Sequence, residues 1–78
     1  MNDKSNDLES ALTKIVHDLR TPLAVVHTTS NMLLNPKYKL TEAQVREQHE
    51  RIQRNAEILN RLVGELSELA KPTKADGA

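Results

Sequence analysis

The sequence predicts an all-α fold: an antiparallel helical hairpin that dimerises into a four-helix bundle, with its first helix kinked near Pro22. Three observations carry this. Apolar residues recur every seventh position along two long segments, one proline-containing break separates those segments, and a 78-residue chain without cysteine must enlarge its core by association.

In the first segment Leu12, Leu19, Val26 and Leu33 keep the heptad spacing, with Ile15/Val16 and Pro22/Leu23 at the intermediate positions. Ser5 or Asn6 is the expected cap at its start. In the second segment Val45, Ile52, Leu59 and Leu66 repeat the pattern, with Ala56, Leu62/Val63 and Leu69/Ala70 between them. The break is Asn35-Pro36-Lys37-Tyr38-Lys39-Leu40, where Pro36 lacks a backbone donor and biases Asn35 away from helical geometry. Thr41-Glu42-Ala43-Gln44 then reads as a capping box, and Leu40 and Val45 stand where a hydrophobic staple requires them. Helix 2 is expected from Glu42 to Ala70, with Lys71-Pro72 as its stop.

A short connection between two long helices makes them antiparallel neighbours. Folding about the turn places Leu33 against Val45, Val26 against Ile52, Leu19 against Leu59 and Leu12 against Leu66. A lone hairpin leaves half of each apolar stripe in water, so two copies are expected to close the core as a homodimer. Thr29/Ser30 and Gln48/His49 make the turn-proximal layers more polar than the layers holding Ile15, Leu23, Leu62 and Val63. The expected organisation is a linker or helix lead-in over residues 1–7, one domain over 8–70, and a tail over 71–78.

Eleven basic and eleven acidic side chains are interspersed and cancel, so there is no basic stripe for nucleic acid. Helices this long on a neutral chain also fit a helix-turn-helix DNA reader poorly. No apolar run approaches the roughly 18–20 residues that span a bilayer, and the N-terminus lacks an apolar signal stretch. No direct membrane contact is expected, and a cytoplasmic setting is the default, whether or not a longer parent is membrane-anchored. His27 and His49 read as structural positions, His49 in a boundary layer, and no clustered ligand set suggests a metal.

Chemistry concentrates in His17-Asp18-Leu19-Arg20-Thr21-Pro22-Leu23. Leu19 and Leu23 belong to the inward stripe, which turns His17 toward solvent. The Asp18 carboxylate is placed to accept the imidazole Nδ1 proton, leaving Nε2 as the nucleophile. Thr21 lies one turn on over the same face, where its hydroxyl can position a water beside a phosphoryl group. Pro22 deletes the hydrogen bond to the Asp18 carbonyl, at a cost of about 3 kcal/mol or more, and so places a bend at the histidine. The alternative is a separate helix starting with Thr21 as N-cap and Pro22 at N1, but the heptad phase continues on both sides.

These seven residues closely resemble the H-box of bacterial sensor histidine kinases, and the hairpin over residues 8 to 70 resembles their dimerisation and histidine-phosphotransfer domain. The resemblance implies that His17 accepts the γ-phosphoryl group of ATP from a separate ATP-binding catalytic domain. It implies Asp18 as general base, where many members carry Glu, and Thr21 as the position linked to dephosphorylating the partner. That partner is a response-regulator receiver domain, which takes the phosphoryl group on an aspartate. No cofactor is implied within this segment, since ATP and Mg²⁺ act through the catalytic domain and the regulator.

After Ala70 there is neither a Gly-rich lid nor a βα pattern, so the expectation is a segment of a longer kinase without autokinase activity of its own. A free-standing phosphorelay carrier and a silent dimeric interaction module are the alternatives. Lys14 and Arg20 lie near His17, where they either offset phosphate charge or form a solvated face. Ala24, Thr28 and Asn31 continue the His17 face toward the turn as a strip of small and polar side chains, the expected docking surface for the regulator.

Overall fold

A computed structural model describes the backbone of residues 3–71 and the side chains of residues 7–71. Two helices, α1 (Asp3–Leu34) and α2 (Glu42–Ala70), pack against each other as a hairpin. The shortest dimension is 14 Å, little more than one helix diameter, so the hairpin is a single layer.

Helix α1 begins earlier than expected: Asp3 is already helical, which places Ser5 and Asn6 inside the helix rather than at its cap. It then continues unbroken through Pro22. Thr21 and Pro22 therefore do not open a second helix, as the uninterrupted heptad phase required. The turn is built by Asn35. Its backbone N–H donates to the Met32 carbonyl, its carbonyl accepts from Tyr38 N–H at 3.1 Å, and its Oδ1 accepts from Lys37 N–H at 2.9 Å.

Helix α2 starts and stops where the sequence indicates. The Thr41 hydroxyl accepts from Gln44 N–H at 3.1 Å, and Gln44 Oε1 accepts from Thr41 N–H at 2.9 Å, which completes the capping box. Leu40 and Val45 are both half-buried beside it. Thr41→Ala is expected to cost about 1 kcal/mol in urea unfolding, with Thr41→Ser close to the parent. An unchanged midpoint would show that the cap does not hold the helix start. At the other end Lys71 N–H reaches the Glu68 carbonyl, and Lys71 Nζ pairs with Glu68 Oε2 at 2.8 Å. Pro72 and the rest of the expected tail lie outside the described residues.

The seam between the helices runs along a different line from the one that the strict heptad suggested. On α1 the buried residues are Ile15, Pro22 and Thr29, and on α2 Leu62 is buried, flanked along its line by half-buried Gln48, Asn55 and Leu69. Leu12, Leu19, Val26 and Leu33 are only half-buried, as are Val45, Ile52, Leu59 and Leu66. Leu23 and Val63, expected inside, stand 56% and 49% exposed. The physical reason is geometric: each apolar stripe is wider than one partner helix can cover, and the helices meet along one edge of it. Thr29 and Gln48 make the turn-proximal seam polar, as anticipated, and Asn55 extends it, whereas Ile15 and Leu62 make the distal half apolar. Asn55 satisfies its amide on the Arg51 carbonyl at 2.8 Å. Among the described residues no buried side-chain nitrogen or oxygen lacks a partner, and no large side chain is fully sealed.

Candidate functional site

Successive residues of an α-helix are rotated by about 100°, so three directions on α1 follow from the seam at Ile15. Val16, Leu19 and Leu23 fall to one side of the seam and Asp18 to the other. His17 lies roughly 200° round from Ile15, on the outward face. The structure agrees with this placement: the His17 side chain is 83% exposed, while Asp18 is 38% exposed at the seam's edge.

Asp18 is shared unequally between two neighbours. Lys14 Nζ donates to its Oδ2 at 3.0 Å, one helical turn back. Its Oδ1 stands 3.7 Å from His17 Nδ1, close but outside hydrogen-bond range. The direct Nδ1–H contact anticipated from sequence is therefore approached rather than formed, while the other carboxylate oxygen bonds to Lys14. The hydrogen bond from Lys14 holds the Asp18 carboxyl below the usual carboxylate range; desolvation opposes this, while the charge of Lys14 and the neighbouring His17 add to it. Asp18 is consequently an anion facing the imidazole edge at neutral pH. Lys14 is raised in turn, first by the same hydrogen bond and then by the charge of Asp18.

Around His17 the surface is shallow, lined by Glu9, Ser10, Thr13 and Lys14. Among the described residues only this shallow lining borders the imidazole, which leaves the ring open to a large partner. Thr21 is exposed one turn further on, over the same face. Ala24, Thr28 and Asn31 are also exposed and prolong that face toward the turn. Asn31 Nδ2 lies 3.5 Å from His27 Nε2. Ala24 and Thr28 share a shallow groove with Val25, Thr29 and Arg51 of α2, so the small-residue strip has a basic side chain facing it across the seam. Arg51 reads in sequence as an ordinary exposed helix position, and only the packing of the two helices brings it to the strip. Lys14 carries a local signal that its spacing to Asp18 reveals: opposite charges four residues apart on a helix meet.

His49 is exposed, beside Leu40, Val45 and Arg46, and not in a boundary layer as its heptad position suggested. The seam takes Gln48 instead, one residue earlier. Among the described residues no three His, Asp or Glu side chains gather as a metal site, and no helix is long and apolar enough to cross a membrane.

The family model described as the His kinase A (phospho-acceptor) domain matches residues 7–75. No curated protein and no solved structure matches the chain.

Proposed function

Since the chain belongs to the His kinase A (phospho-acceptor) domain family, we propose that His17 is the phosphoacceptor of a two-component histidine kinase and that two hairpins form its dimeric core. The observation that carries this is the 83% exposed imidazole of His17, held beside the anionic Asp18 on the outward face of α1.

In the proposed step the Nε2 lone pair attacks the γ-phosphorus of ATP, which a separate catalytic domain presents together with Mg²⁺. The new P–N bond forms as the bond to the β–γ bridging oxygen breaks, and ADP leaves with that electron pair. The Nδ1 proton passes to the Asp18 carboxylate, so the phosphorylated imidazole ends neutral. An aspartate of a response-regulator receiver domain then takes the phosphoryl group. Thr21 orients a water when the regulator is dephosphorylated. Pro22 leaves the Asp18 carbonyl without its helical donor, and the flexure this favours gives both partners room at His17. Ala24, Thr28 and Asn31 form the docking strip, where small side chains allow a partner helix to approach closely.

Dimerisation is supported by the open apolar flank. Val16 and Leu23 on α1 lie a heptad apart, 49% and 56% exposed, with Val63 on α2 at 49%. Half-buried Leu12, Leu19, Val26, Leu59 and Leu66 lie between this flank and the seam. The same flank of a second hairpin is the self-complementary cover that two-fold symmetry provides.

The test is phosphorylation in trans. The chain mixed with ATP, Mg²⁺ and an active histidine-kinase catalytic domain is expected to acquire acid-labile phosphate, and none without that domain. No labelling by catalytic domains active on their own substrates would leave a silent helical interaction module as the function.

A further inference from the structure

Lys14 has no part in the chemistry described so far, yet it is the closest polar partner of the residue proposed to take the proton. Resting on the reading of His17 as phosphoacceptor, we propose that Lys14 is a positioning residue: its ammonium holds Oδ2 of Asp18 and thereby presents Oδ1 to the His17 Nδ1–H.

The geometry supports positioning over competition. A carboxylate offers about four lone-pair sites on two oxygens. Lys14 occupies one oxygen at 3.0 Å, and the other is the one turned to Nδ1 at 3.7 Å. A closure of about 1 Å brings that contact into hydrogen-bond range without releasing Lys14. Across the groove, α2 contributes Glu65 and Glu68, with Ala11, Ile15 and Leu69 as the apolar floor. Glu68 is paired with Lys71 at 2.8 Å. Glu65 adds a weaker attraction on the Lys14 ammonium from across the groove. Lys14 therefore fixes one carboxylate oxygen while the other stays turned to the imidazole. The groove lies on the opposite side of the seam from Val16 and Leu23, so it stays open when two hairpins associate through that flank.

Two readouts on the phosphate-free and reacting chain decide the matter. In the imidazole nitrogen NMR spectrum above the histidine titration, His17 is expected to carry more of the Nδ1–H tautomer in the parent than in Lys14→Met. Initial labelling in trans is expected to slow about threefold in Lys14→Met, the scale of one exposed ion pair, and to recover in Lys14→Arg. Circular dichroism of all three is expected to coincide, because the Lys14 side chain is 77% exposed. An equal tautomer ratio in parent and Lys14→Met overturns the proposal, even if labelling slows, since Lys14 would then act on the incoming phosphates directly. Equal labelling rates also overturn it. Failure of the parent itself to label removes the underlying reading of His17, a distinct result.

Discussion

His17→Ala is expected to abolish acid-labile labelling in trans, down to the background of the catalytic domain alone. The loss is chemical rather than structural. The side chain is 83% exposed and takes no part in the seam at Ile15, Pro22 and Thr29. Alanine is the strongest helix former, so α1 loses nothing intrinsic. Circular dichroism and sedimentation of the variant are expected to match the parent. His27 and His49 are also exposed and serve as internal competitors. Neither has a carboxylate arranged as Asp18 is beside His17, with its oxygen 3.7 Å from the imidazole Nδ1 among the described ion pairs. Labelling that persists in His17→Ala would place the phosphoryl group elsewhere and sink the assignment.

Leu23→Glu combined with Val63→Glu is expected to convert a dimer to monomers in sedimentation equilibrium at micromolar concentration. Each parent side chain is about half exposed in the single hairpin, at 56% and 49%, so the hairpin itself loses little from either change. In a closed bundle both enter the core. Full burial of an exposed Leu or Val contributes about 1.5–3 kcal/mol, so covering the remaining half adds roughly half of that per site, and two-fold symmetry counts each site twice. The glutamates add the cost of desolvating charge without a partner. Helix content at low concentration is expected to fall with the dimer, because a single layer with no fully sealed large side chain is a marginal fold. Gln53→Glu, at an exposed α2 position outside this flank, is the control and is expected to leave the dimer intact. A double variant that sediments as the parent does would show that the apolar flank is not the interface.

The sequence alone determined the two helices, their turn and the start of α2 to the residue, because these are local interactions. Thr41 and Gln44 bond to each other's backbone, Pro36 forbids helix at the turn, and heptad spacing survives across Pro22. It likewise determined that His17 faces outward, since that follows from helical rotation relative to the apolar stripe. Only the packing of α1 on α2 decided which edge of each stripe becomes the seam. A stripe wider than one partner helix looks the same in sequence at both edges, so Leu12, Leu19, Leu23 and Val63 read as core alongside Ile15, Pro22, Thr29 and Leu62, and only the latter four are buried in the hairpin. The same packing decided the surroundings of Asp18. Its bond to Lys14 is local, but the Glu65 lining the same groove, and the Arg51 facing Ala24 and Thr28, come from α2. Those neighbours are set by how two cylinders roll against each other, and a one-dimensional periodicity carries no information about that angle.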